Sequence, residues 1–270
     1  MATLVQPSPV LLLSGLGMVM IGLAPVIYWQ RKHGVSWKVF GLGAIAWLSA
    51  GILKLVMDGV VTPSLSAAVQ GAGALASALV LGLYVGIRTG ISETGFTWIW
   101  ARRFRLFSAS FDDAVGFGLG FAGIESLVLG LNSFLGILEI LMNPSVMGTL
   151  SPSVQQALSA QYALGAAFIG APIIDRLSNL CIECLAIVMV FMALRNVKGL
   201  FLIATVYASV ADFAVPLLNV YVSGTTLAGV YLLEAPYVLL GLIGLSGLLR
   251  SQSDPVFEAE PPPRGKPHAR

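Results

Sequence analysis

Residues 172–194 read PIIDRLSNLCIECLAIVMVFMAL. The run is too long and apolar for a strand, and about 20 such residues cross a bilayer as one helix. Asp175, Arg176, Asn179 and Glu183 interrupt it. Arg176, Asn179 and Glu183 are spaced three and four apart, so a helix sets them on one face. A charge at bilayer depth costs roughly 2.5–3.5 kcal/mol on insertion scales. Such a stripe therefore belongs inside a bundle, turned toward polar groups of other helices.

The rest of the chain supplies those helices. It has 270 residues, 57% hydrophobic and 10% charged, against about 25% charged in soluble domains. Apolar runs fall at residues 9–29, 39–57, 64–87, 114–142, 159–194, 199–222 and 227–249. Pro25 lies in the first, which membrane helices tolerate. The composition predicts an all-α, polytopic membrane bundle in the cell membrane. It has seven spans, or eight if the segment 64–100 or 159–194 breaks in two. Residues 1–250 form one integral membrane domain. Residues 251–270, rich in proline and charge, read as a disordered cytoplasmic tail. Residues 1–8 carry no positive stretch, so no cleavable signal is expected.

Lysine and arginine orient a membrane chain. With seven spans, Arg31, Lys32, Lys38, Arg102, Arg103, Arg105, Arg195, Lys198 and Arg250 all fall on one side. That predicts an outside N-terminus and a cytoplasmic C-terminus. No basic patch interleaved with aromatics points to nucleic acid. No internal repeat of the transporter kind is visible.

Glycines crowd the third and fourth spans: Gly71, Gly73, Gly82, Gly86, Gly116, Gly118, Gly120 and Gly123. In a lipid-spanning context they read as sites of close helix approach rather than as a phosphate loop. Cys181 and Cys184 form a C-x-x-C inside an apolar helix. A redox pair needs a thiolate near water and positive charge, so packing is the simpler reading.

Glu93, Glu125, Glu139, Asp175, Glu183, Asp212 and Glu234 are acidic residues within apolar segments, and Lys54, Arg88 and Arg176 lie at similar depth. If the helices pack together, Glu93, Glu125, Glu183 and Asp212 converge around Arg176, in a cavity open to water. These five are the candidate site residues. Tyr207 and Ser209 lie near Asp212 in sequence. Glu139 and Glu234 read as interfacial, and Lys54 and Arg88 as snorkelling bases.

Several stretches resemble one family. Arg31-Lys32-His33-Gly34-Val35-Ser36-Trp37-Lys38, running on to Lys54, resembles the first cytoplasmic loop of YhfC-type intramembrane metalloproteases, distant relatives of the CAAX-processing and bacteriocin-processing membrane endopeptidases. Gly90-Ile91-Ser92-Glu93-Thr94-Gly95 resembles their glycine-flanked double-glutamate motif. Gly118-Leu119-Gly120-Phe121-Ala122-Gly123-Ile124-Glu125 resembles their Gly-x-Gly-His-Gly-Gly-Ile-Glu motif. Asp175-Arg176-Leu177-Ser178, followed by Glu183, resembles a Glu-Arg helix ending in histidine, and Asp212-Phe213 the end of a His-x-x-x-Asp-Phe motif.

The departures bear on chemistry. Ser92 stands for the first glutamate of the pair and Phe96 for the arginine after it. Phe121, Glu183 and Ala208 stand where the family has histidines. The chain has two histidines, His33 and His268, both outside the apolar segments. A hydrolytic zinc site usually takes three protein ligands, mostly imidazole. The resemblance therefore implies the family's fold and peptide substrates, transmembrane or lipidated, but no zinc, no other metal and no cofactor. Three activities stay open. One is a degenerate or rewired protease, with Glu125 or Glu183 as general base and Asn179 or Arg176 as oxyanion donor. The others are a proton-coupled transporter or channel and a structural membrane subunit.

The charge pattern makes a topology prediction. With Gly148→Cys and Pro255→Cys as separate reporters, an impermeant maleimide added to intact cells labels position 148 and not 255. The reverse pattern would overturn the orientation.

Overall fold

Charged and capping residues end helices here, and apolar length carries them across the bilayer. The fold is a computed structural model describing residues 5–197 and 199–258. Its helices are α1 (Leu12–His33), α2 (Trp37–Ala68), α3 (Ala74–Arg103), α4 (Phe111–Met142), α5 (Val146–Thr149), α6 (Pro152–Ala163), α7 (Gly170–Leu194), α8 (Leu200–Leu218), α9 (Leu227–Leu233), α10 (Ala235–Ser251) and α11 (Pro255–Glu258). No strand occurs among the described residues. Among the described residues, seven segments are long and apolar enough to cross a membrane.

The joints follow from local chemistry. Gly34 closes α1 in the left-handed conformation (φ 68°), which glycine adopts without a Cβ penalty. Ser36 then caps α2, accepting from the Lys38 N–H. Ser110 and Asp113 form a capping box at the start of α4.

Three span boundaries differ from the sequence reading. α2 runs through Pro63 to Ala68, so residues 64–68 close the second span instead of opening the third. α3 then runs unbroken from Ala74 to Arg103, carrying Arg88 and Glu93 within it. Residues 159–163 belong to the separate helix α6, and α7 starts at Gly170. Each of the two long segments thus holds one span. Hydropathy alone does not separate helices that abut across glycines such as Gly71 and Gly73, both at positive φ.

α7 and α4 form the interior. Their most apolar windows are 78% and 67% buried, against 28% or less in the other five spans. α4 packs against α1, α2 and α7; α3 packs against α8; α10 covers the far side of α7. Glycine makes these approaches possible. A Cβ on Gly22 would lie 2.6 Å from the Gly123 carbonyl oxygen, and one on Gly123 would lie 2.7 Å from the Gly22 carbonyl oxygen. Gly43 faces the Phe117 carbonyl and Gly120 the Phe40 carbonyl in the same reciprocal way, joining α2 to α4. Gly82, Gly86 and Gly90 seat α3 on Phe213, Ser209 and Thr205 of α8.

The end of the bundle that carries the bases is stitched together. His33 Nδ1 lies 3.0 Å from Asp112 Oδ1, and Trp29 Nε1 donates to the Asp112 carbonyl. Arg195 donates to the carbonyls of Ala109 and Val256. The Phe257 ring meets Phe111 edge-on. Within the segment read as a disordered tail, α11 is therefore packed. Residues 259–270, with His268, and Lys198 lie outside the described residues.

Overpacking a core typically costs about 1–3 kcal/mol. Gly120→Val is expected to lower stability by that order in a thermal unfolding series in detergent. Gly136→Val, where an added Cβ meets open space, should stay within about 0.5 kcal/mol. Equal losses would show that the α2–α4 approach does not limit the fold.

Candidate functional site

The polar stripe of α7 meets α4 first. Arg176, 8% exposed, donates through Nη1 to Glu125 Oε1 at 2.9 Å. Its Nε and Nη2 donate to Asp175 Oδ2 at 2.8 and 2.5 Å. Asn179 Nδ2 donates to the second oxygen of Glu125 at 3.0 Å. Arginine suits this role because its guanidinium presents a planar fork and keeps its charge when buried. Both Glu125 oxygens are thus engaged by the side chains of α7.

One turn along α7, Glu183 reaches the next group. It is 5% exposed and interacts electrostatically with Glu93, Glu125 and Lys54. Glu93, 3% exposed on α3, accepts from Lys54 Nζ of α2 at 2.6 Å. Its other oxygen is buried with no hydrogen-bond partner among the described residues. At 1.5 Å per residue, Glu93 lies about 15 Å before the Arg103 end of α3, and Glu183 about 16 Å before the Leu194 end of α7. Both are thus about three helical turns inside that end of their helices.

Asp212 of α8 closes the network. Thr89 Oγ1 donates to one of its oxygens at 2.6 Å, and the Tyr237 hydroxyl of α10 to the other at 2.9 Å. Its charge is felt at Glu93 and Asp175.

Of the five sequence candidates, Glu125 and Arg176 pair directly, while Glu93, Glu183 and Asp212 lie within electrostatic reach of one another or of Glu125, so α3, α4, α7 and α8 turn their acids toward one polar region. Lys54 belongs to it as the partner of Glu93, not as a snorkelling residue. Arg88 also pairs within the bundle, with Asp58 of α2. Tyr207 and Ser209 turn away from Asp212: the Tyr207 hydroxyl donates to the Leu240 carbonyl and Ser209 to the Thr205 carbonyl. Glu139 is exposed. Glu234 lies within electrostatic reach of Asp175 and Arg176. Thr89 and Tyr237 escape a sequence reading, because hydroxyls in apolar helices carry no distinctive spacing. Lys54 had a signal: an intramembrane base in a chain with surplus intramembrane acids.

The centre can hold, orient and neutralise charge. Its donor set does not suit zinc. Among the described residues, no three or more His, Cys, Asp or Glu side chains converge as a metal-holding group. His33 is at the basic end, stacked on Trp29 at 4.0 Å. Both oxygens of Glu125 and of Asp212 and one of Glu93 are engaged by Arg176, Asn179, Thr89, Tyr237 and Lys54, while the second Glu93 oxygen is not.

The sequence model of the family described as YhfC intramembrane metalloprotease matches residues 17–234. A Bacillus subtilis (strain 168) protein, described as the uncharacterized membrane protein YhfC, is 26% identical over 211 residues, covering 73% of this chain and 78% of that protein. No solved structure matches.

Removing one partner of a buried ion pair typically costs about 3–5 kcal/mol. Arg176→Met, which strands Glu125 and Asp175, is expected to lose that much in a denaturation series in detergent. Adding Glu125→Leu and Asp175→Leu to it should recover most of the loss. A single variant as stable as the parent would mean the fork does not hold α4 to α7.

Proposed function

The chain belongs to the YhfC intramembrane metalloprotease family, and from that membership we propose that it is a multi-pass cell-membrane protein that binds membrane-embedded or lipidated peptide segments without zinc-dependent hydrolysis. The observation that carries this reading is the double engagement of Glu125. Its oxygens accept from Arg176 and Asn179, so the carboxylate is held turned toward α7 with one lone pair of each oxygen already engaged. A general base must have its acceptor within hydrogen-bond reach of the proton it removes. Positions 121, 183 and 208 hold Phe, Glu and Ala, so imidazole is missing from each place where the family resemblance expects it.

In this reading the centre is a fixed electrostatic socket. Lys54 and Arg176 supply the positive charge that a metal would supply in an active relative. Asn179 and Thr89 add hydrogen-bonding capacity beside them. The amides of a transmembrane segment that frays at mid-bilayer would find donors and acceptors here. An N-terminus outside and a cytoplasmic C-terminus belong to the same proposal, resting on the one-sided bases.

A second reading follows from the mutual interactions of Glu93, Glu183, Glu125 and Asp212. A line of carboxyl groups across helices is the usual equipment of a proton relay. Proteoliposomes with an entrapped pH dye separate the two: a proton flux abolished by Glu183→Gln favours the relay.

The binding reading is tested by elemental analysis and a quenched transmembrane-peptide substrate. The purified protein is expected to bind the peptide with zinc well below stoichiometry, and a chelator should change neither binding nor the background rate of cleavage. About one zinc per chain, lost on Glu183→Ala or Asp212→Ala, together with chelator-sensitive cleavage, would restore the metalloprotease reading.

A further inference from the structure

Two apolar hollows meet at the basic end of α1. One is a cleft of about 330 Å³, within the order of size of small-molecule sites. It opens between α1 and α10, with α4 and α7 as its floor, and Pro25, Trp29, Leu119, Leu180, Cys184 and Leu248 line it. The other is a shallow trough, the exposed face of α1 alone over Met20, Leu23 and Ile27. Tyr28 and Lys32 border both hollows. They are one helical turn apart and form the ridge between them, with the Lys32 ammonium 5.4 Å from the Tyr28 ring centre.

The mouth is cationic. Arg31 borders the trough beside Lys32, and His33 borders the cleft. His33 Nδ1 is taken by Asp112, but Nε2 is buried without a hydrogen-bond partner among the described residues. A buried polar atom left unpaired is costly. A glycerol hydroxyl can donate to this nitrogen in the neutral ring, and a phosphate oxygen can accept from it in the protonated ring.

We propose that this ridge binds one two-chain anionic phospholipid of the surrounding bilayer. One acyl chain lies in the cleft, the other lies along the trough, and the phosphate sits on Lys32 and Arg31. Two apolar arms diverging from one basic head match that ligand. A single-chain occupant would fill one hollow and leave the other to the solvent lipid. Basic pockets between transmembrane helices are established binding places for anionic headgroups, at roughly the strength of one base per contact. None of the polar-centre residues lines either hollow, so the proposal stands independently of the peptide-binding reading.

The chain carries its own reporter. Its two cysteines, Cys181 and Cys184, both line the cleft, but Cys184 is buried, so the half-buried Cys181 is the thiol that reports. Full-length protein, stripped of lipid in nonionic micelles, is labelled with N-ethylmaleimide and followed by intact mass. Phosphatidylglycerol, phosphatidylcholine or lysophosphatidylglycerol is titrated in. Phosphatidylglycerol is expected to protect the Cys181 thiol at the lowest concentration. Lys32 is exposed, so Lys32→Gln should leave the fold intact. It should shift that midpoint up about fivefold, the loss expected for one base, and leave the phosphatidylcholine midpoint unchanged. The single-chain lipid should protect more weakly than its two-chain parent. Equal protection by the two headgroups, an unmoved midpoint in Lys32→Gln, equal protection by the single-chain lipid, or no protection at all would each overturn the proposal.

Discussion

The Arg176 guanidinium, held between Asp175 and Glu125, is the interaction on which the rest depends. Ions taken out of water lose several kcal/mol of solvation each, and only close, well-directed partners offset the loss. Arg176 uses three nitrogens on two carboxylates, and Asn179 fills the remaining oxygen of Glu125. The pair fixes the rotation of α7 relative to α4. Once that rotation is set, Glu183 must face Glu93, and Glu93 must be met by Lys54. The polar centre thus draws on five helices, α2, α3, α4, α7 and α8, and is not a scatter of tolerated charges.

Helices in lipid gain no hydrophobic free energy from meeting each other, because lipid tails are as apolar as leucine. Close packing must supply the attraction instead. The glycines of α4 serve that purpose on two sides, against Gly22 of α1 and against Phe40 of α2, while Gly118 meets Cys184 of α7. This is why α4 and α7 occupy the middle although neither is more apolar than α1. Close backbones also shorten the reach between side chains, which lets Glu125 contact both Arg176 and Asn179.

The family relationship and the local chemistry point to different degrees of function. Zinc in a hydrolytic site polarises a carbonyl and lowers the pKa of its bound water. An ammonium or guanidinium neutralises the same carboxylates without binding water as a nucleophile. In the proposed binding reading, Lys54 and Arg176 preserve the electrostatics needed to fold such a centre and leave out the step that would make it cleave. The resemblance covers architecture and motif order, from Glu93 to Asp212; the chemistry is decided by what stands at positions 121, 183 and 208.

The sequence by itself determined the all-helical membrane fold, the seven spans and the identity of the five polar candidates. These rest on local quantities: apolar length against bilayer thickness, and the cost of a charge at depth, which makes Glu93, Glu125, Arg176, Glu183 and Asp212 conspicuous one at a time. Only the tertiary structure decided who pairs with whom. Lys54 looked free to snorkel until α2 was seen beside Glu93, and Tyr207, near Asp212 in sequence, proved to serve Leu240 while Tyr237 took its place. Span boundaries at residues 64–74 were also a tertiary matter, since hydropathy does not register where one apolar helix stops and the next begins. Partner choice depends on helix rotation and separation, which are set by glycine contacts and ion-pair geometry between segments far apart in the chain. No local pattern records those distances.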